Sequence, residues 1–308
     1  MYLRQLRLIL LGTASLCAWQ TGAMAADLLS PTPVAQQDET LPAVSGVNGR
    51  WEFDPGYLSS PSGGLFRAAG SLDLPLGDHF GAQGDISVAD TPTGLVYGGA
   101  LHLFTRDPSK YLLGVTAGVI VSPTARLEAV GPEAELYLGN VSLEGWAGYA
   151  ALQYPAAPGS NKSGFFGMGD VAYYLTPDFR LALGGSDVLG DLALHTAAEY
   201  MFHNLGMPLS VTADARFHSG GTWVATIGLK GYFGGSDPGK SLMDRQRQDD
   251  PPNRAYDLYG SAADEINANP TDTPSDPESF CFLNHGSVGW DEFGWLWNGE
   301  TCVPDIDG

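Results

Sequence analysis

From Asn48 to Phe233 the chain alternates apolar and polar side chains with a period of two. Leu209, Val211, Ala213, Ala215 and Phe217 interleave with Ser210, Thr212, Asp214, Arg216 and His218. Successive side chains of a strand point to opposite faces, so one face here is wholly apolar and the other wholly polar. Phe80, Ala82, Gly84, Ile86 and Val88 oppose Gly81, Gln83, Asp85 and Ser87 in the same way, and segments starting at Leu192 and Trp223 repeat it. The pattern predicts strands over 48–57, 64–76, 79–89, 95–105, 111–121, 126–138, 141–152, 164–175, 178–187, 191–202, 208–217 and 222–233. Compact connectors with hairpin-turn composition, Gly77-Asp78, Asp107 to Lys110, Gly139-Asn140, Thr176 to Asp178 and His203 to Pro208, alternate with longer ones at Leu58 to Gly63, Asp90 to Gly94 and Gln153 to Ser163. The expected fold is all-β: a closed antiparallel barrel of about twelve strands with both ends on the short-turn side. Asn48 to Tyr57 is a weak strand and Thr124 to Pro132 can hide a bend, which leaves ten or fourteen strands as alternatives.

Outside this block the pattern stops. Residues 1–25 carry Arg4 and Arg7, an apolar stretch from Leu8 to Trp19, and Ala23-Met24-Ala25, the layout of a cleaved secretory signal peptide. Its apolar run is shorter than the roughly 20 residues of a spanning helix. Residues 26–47, rich in Pro, Gln, Ser and Thr, predict a flexible leader. Residues 234–308 predict a largely irregular, solvated acidic tail, because from Ser236 onward 15 acids face 4 bases.

Charge narrows the function classes. With 35 Asp and Glu against 15 Lys and Arg, and a pI near 4.4, the chain lacks the basic surface that phosphate recognition needs, so no nucleic-acid partner is expected. The inward positions hold the candidate functional residues Arg67, Asp73, Asp85, His102, Glu133, Glu135, Glu144, Asp170, Arg180, His195, Glu199, Asp214, Arg216 and Lys230. Such a face makes a poor dry core, since an unpaired buried charge costs several kcal/mol. It suits a polar lumen, with the apolar face turned to lipid. A secreted sandwich with one wet face per sheet gives the same alternation and is the competing architecture. Aromatics at Trp51, Tyr57, Phe66, Tyr97, Tyr149, Phe165, Phe202, Trp223 and Phe233 fall on the apolar face near segment ends, where interfacial girdles lie.

The alternating strands, the alternating turns and the terminal Gly228-Leu229-Lys230-Gly231-Tyr232-Phe233 resemble bacterial outer-membrane β-barrel proteins. Gly231 to Pro251 is also similar to the post-barrel region of uncharacterised alphaproteobacterial members. The resemblance implies an outer-membrane location with periplasmic termini, contact with outer-membrane lipid, and engagement of the barrel-assembly machinery through the terminal strand. It departs from the usual pattern in placing Gly231 on the apolar face and 75 residues after Phe233.

The expected function is a porin-like passive channel with a net acidic, cation-favouring lumen, or a sealed envelope scaffold. The alternative is a lipid-modifying hydrolase on a barrel. Its candidate motifs, His285-Gly286-Ser287 in the tail and the adjacent His218-Ser219, are short and common by chance; a surface protease would want paired carboxylates and a histidine at the outer rim, and Asp187 with Asp191 lacks a convincing histidine in sequence. No catalytic residue, metal site or cofactor is assigned. Cys281 and Cys302 flank Phe282, Trp290, Phe293, Trp295 and Trp297, and in an oxidising compartment they can close a disulfide loop. The tail can then fold by itself, dock on the barrel mouth, or bind a periplasmic or cell-wall partner.

Overall fold

The computed structural model describes residues 41–203, 206–237, 239–268, 295–297 and 302–304. In it twelve strands close into one antiparallel barrel: β1 (Asn48–Ser59), β2 (Ser62–Pro75), β3 (Phe80–Thr91), β4 (Gly94–Asp107), β5 (Tyr111–Val121), β6 (Arg126–Leu138), β7 (Val141–Gln153), β8 (Lys162–Thr176), β9 (Phe179–Val188), β10 (Asp191–Phe202), β11 (Leu209–His218) and β12 (Trp223–Gly234). Neighbours in sequence are neighbours in the sheet, and β12 closes on β1 with Asn48 opposite Gly234 and Leu58 opposite Val224. Closure pairs the strand edges, which lets the backbone satisfy itself in hydrocarbon. Among the described residues no helix is long and apolar enough to cross a membrane.

The outward face is apolar along most of the wall, with Arg126 and Glu128 at the start of β6 a charged pair on it. Leu101 is 71% exposed, Ile86 70%, Ile227 61% and Phe165 85%, which in a water-soluble fold would be a large unburied surface and in lipid is the buried one. The barrel therefore has the inside-out arrangement of a transmembrane β-barrel. Tyr57, Phe66, Tyr97, Tyr149, Phe202, Trp223 and Phe233 stand on this outer surface. The odd glycine of the terminal strand has a packing reason: a Cβ on Gly231 would lie 2.2 Å from the Trp51 ring, so the indole of β1 covers the gap at the closing seam.

Two local expectations are corrected. The connectors at Leu58 to Gly63 and Asp90 to Gly94 are not long, because β1 to β4 run on until Ser59 pairs with Ser62 and Thr91 with Gly94. The length alternation therefore vanishes except at β7–β8, where residues 154–161 form a real loop with a short 3-10 turn at Pro158–Ser160. The suspected bend does not change the strand number. It appears as a gap in the β6–β7 ladder between Val130–Tyr149 and Glu133–Trp146, where Gly131 and Gly148 approach so closely that a Cβ on either would meet backbone at about 2 Å.

The tail differs most from its composition. Residues after β12 form α1 (Leu242–Gln248), α2 (Arg254–Ser261) and α3 (Ala263–Asn267), and α2 packs against the inner side of β3, β4, β5, β9 and β10. Ser241 caps α1 by accepting from the Asp244 N–H at 3.2 Å, and Asn253 caps α2 by accepting from the Tyr256 N–H at 2.9 Å. Pro251-Pro252 separates the two helices. Two further short strands, β13 (Trp295–Trp297) and β14 (Cys302–Pro304), pair antiparallel. The signal peptide, most of the leader and Cys281 lie outside the described residues.

Candidate functional site

The site is the lumen together with the segment inside it. Both barrel ends, Asn48 and Gly234, lie at one mouth, here the terminal mouth, with the 76–79, 108–110, 139–140, 177–178 and 203–208 connections. The opposite, far mouth carries the other six connections. The tail enters at the terminal mouth. Leu242 N–H donates to Asp178 at 3.1 Å, Met243 N–H to the Pro177 carbonyl at 2.9 Å, and the Arg247 guanidinium to the Gly139 and Val141 carbonyls at 2.7 and 3.0 Å. Arg247 also lies over the Tyr137 and Tyr174 rings. The segment before β1 is held at the same mouth, where Ala43 N–H donates to the Asp78 carbonyl and Ser45 N–H to Asp249.

Midway, α2 completes an ionic chain across the lumen. On one wall His102 is held between Asp85 (2.8 Å) and Glu133 (2.9 Å), and Glu133 faces Arg254 of α2 at 3.5 Å. On another wall His195 is held between Asp170 (2.5 Å) and Asp214 (2.7 Å), beside Arg216, which pairs with Asp257 of α2 at 2.8 Å. Arg254 and Asp257 join the two halves at 3.0 Å. Each imidazole thus bridges two carboxyl groups through its two ring nitrogens. Around this chain Arg50 pairs with Asp250, Arg67 stacks on the Tyr256 ring at 3.1 Å, and Gly260 leaves the space that the Arg216 side chain occupies.

Nearer the far mouth the lining turns apolar. Leu58, Leu65, Val96, Ile120, Leu127, Trp146, Leu152, Phe166, Val188 and Val224 point inward and form one buried cluster with Leu258, Tyr259, Ala262, Ala263 and Ile266 of the tail. The tail then meets the far-mouth connections: Thr93 donates to Asn267 at 2.8 Å, Ser122 to the Ile266 carbonyl at 3.3 Å, and Thr124 to the Ala268 carbonyl at 3.4 Å. Lys162 pairs with Glu265 at 2.6 Å, and the Tyr154 hydroxyl donates to Glu265 at 2.9–3.0 Å. Burial and that neighbouring carboxylate hold the Tyr154 phenol above its ordinary range, so it stays a donor.

All fourteen sequence-predicted candidates stand on the inner face. Arg67, Asp73, Asp85, His102, Glu133, Glu135, His195, Glu199 and Arg216 are buried, while Glu144, Asp170, Arg180, Asp214 and Lys230 keep a small exposure. Seven of them join the ionic chain. Arg180 pairs with Glu144 at 2.8 Å, Lys230 with Glu199 at 2.9 Å, and Glu135 accepts from Tyr137 at 2.8 Å. Asp73 is buried without a hydrogen bond to the others. Two inward residues escaped the sequence reading. Asp54, 3.6 Å from Arg67, was available from the parity of Arg50 and Glu52, and Arg106 lies one residue past the predicted end of its strand.

The hydrolase motifs fare differently. His285-Gly286-Ser287 lies outside the described residues. Strand pairing brings His218 onto Asp191 at 2.9 Å, supplying the histidine that sequence spacing did not, but these side chains are 0% and 2% exposed beneath the tail. Asp191, His218 and Asp264 of α3 also place potential metal-ligand atoms within 4.8 Å of one another. Between tail and wall a cavity of about 100 Å³ remains, lined by charged groups including Arg50, Glu135, Asp170, Arg180 and Lys230. It has room for a handful of waters.

The fold and lumen define a transmembrane β-barrel filled by its own chain. No family model matches the sequence, and no curated protein does. Among solved structures the chain is similar to the KdgM porin in complex with disordered oligogalacturonate (TM-score 0.44, 10% identity, 60% of this chain and 99% of that one). It is also similar to the NanC porin (TM-score 0.43, 12% identity, 58% and 98%) and to the Acinetobacter baumannii outer membrane protein Omp33 (TM-score 0.37, 12% identity, 61% and 99%).

Proposed function

We propose that this chain is an outer-membrane barrel of porin-like architecture whose lumen is sealed by its own C-terminal segment, so that it serves as a wall-spanning scaffold and not as an open pore. The observation that carries this is the apolar seat near the far mouth. A water-filled channel has no use for a ring of Leu, Ile, Val and Trp side chains facing inward, and emptying this one would wet the ring and the tail residues seated in it. At roughly 1.5–3 kcal/mol for each large side chain taken out of water, Leu258 and Ile266 alone hold the segment firmly. The ionic chain below supplies register, since Arg254 meets Glu133 on one wall while Asp257 meets Arg216 on another.

The test is planar-bilayer recording of the full chain. The sealed reading expects no discrete conductance steps across the usual voltage range, whereas steps from the unmodified protein would return it to the channel class. The cation preference expected of an acidic lumen belongs to the emptied barrel, where the acids on the wall would lose Arg254 and face water.

A further inference from the structure

We propose that the barrel carries its own C-terminal segment across the membrane, so that the chain before β1 and the chain after Ala268 lie on opposite sides of the outer membrane. The two sides are fixed by contacts at the two mouths. The segment before β1 sits at the terminal mouth, through Ala43 to Asp78 and Ser45 to Asp249. The segment after β12 starts at that mouth, where Leu242 and Arg247 bind the 177–178 and 139–140 turns. It leaves at the other, where Asn267 and Ala268 are held by Thr93 and Thr124. Between them α2 passes the middle of the wall beside Glu133 and Arg216. The path is one-way. The apolar cluster closes around Leu258 to Ile266, and the charged cavity of about 100 Å³ beside the tail has no room for a returning chain.

The segment so delivered is unlike the lumen. Residues 269–308 hold eight acids, no Lys or Arg, and three of the chain's seven tryptophans. They include the paired strands β13 and β14. A chain of that charge cannot cross hydrocarbon, since each charge placed there costs several kcal/mol; a protein-lined lumen is the route open to it. The signal peptide expected at residues 1–25 would deliver the chain to the periplasm, and strands inserting from there as hairpins would keep both ends of the barrel on the entry side. The leader is then periplasmic, and the acidic, tryptophan-bearing segment is displayed at the cell surface. In this proposal only the leader is periplasmic, where the sequence reading expects both termini there.

The inference rests on the sealed-barrel reading and is tested separately from it. The full chain is expressed in a Gram-negative host in two forms, one with an epitope after Gly308 and one with the same epitope within residues 30–38, and intact and outer-membrane-permeabilised cells are probed with antibody. The C-terminal epitope is expected to react on intact cells and the leader epitope only after permeabilisation. Proteinase K on intact cells should trim the C-terminal epitope and leave a protected fragment extending to about residue 268. Both epitopes silent until permeabilisation, or both reactive on intact cells, overturns the proposal. Bilayer recording of the same tagged protein tells the two failures apart: a silent barrel with a hidden C-terminus loses display and keeps the seal, while a conducting one loses the seal.

Discussion

The two halves of the tail's seat are built from opposite chemistry. From the terminal mouth through the middle of the lumen Arg50, Arg254, Asp257 and Arg216 are ions with little exposure whose attraction is largely spent on their own desolvation, Arg216 reaching the level of Val224, its partner across the β11–β12 ladder. Toward the far mouth Leu258 and Ile266 enter a cluster of wall side chains with no ion of their own to desolvate. The apolar half therefore supplies most of the holding free energy, and the ionic half determines which way the segment sits. A lumen with ions alone would tolerate water around a loose tail; one with an apolar rim excludes it.

Placing a charge in the apolar half should have the largest effect. Leu258→Asp buries an unpaired carboxylate at a cost on the order of 5 kcal/mol, and the variant is expected to conduct with cation preference in a planar bilayer. In the ionic half, Arg254→Met takes one of two cationic partners from Glu133, which keeps His102, and from Asp257, which keeps Arg216, and should cost about 1–3 kcal/mol, read as a lower heat-modification temperature on gels. The triple change Arg254→Met, Asp257→Leu and Glu133→Gln should recover much of that loss if the ions serve placement more than stability. Gly260→Val, whose added Cβ would sit 2.6 Å from Arg216 Nε, should cost about 1–3 kcal/mol by overpacking the junction between the halves. Lys162→Ala, which removes an exposed ion pair with Glu265 at the far mouth, should change the same measurement by no more than about 1 kcal/mol.

The wall was legible in the sequence because a strand's period is local: parity alone placed His102, Asp214 and Lys230 on one face and Ile86, Leu101 and Ile227 on the other. Connection lengths were less legible, because small polar residues such as Ser59, Ser62 and Thr91 read as loop and yet pair as strand. The filled lumen was missed for two physical reasons. Helices of seven, eight and five residues are too short to show a period, and their acids read as solvated because composition cannot see that Asp257 meets Arg216. A signal was nevertheless present. Leu58, Leu65, Val96, Ile120, Leu127, Leu152, Val188 and Val224 occupy inward parity yet are apolar, each near the same end of its strand. A porin-type wall would place polar groups there, so this ring marks where something apolar must enter.

Amide hydrogen exchange of the full chain reconstituted in lipid bilayers tests the occupied lumen most directly. With Arg254 to Ser261 seated against β3, β4 and β5, the amides of α2 should exchange as slowly as those of the barrel strands. Exchange of α2 at the rate of an open peptide, with the strands still protected, would contradict the account.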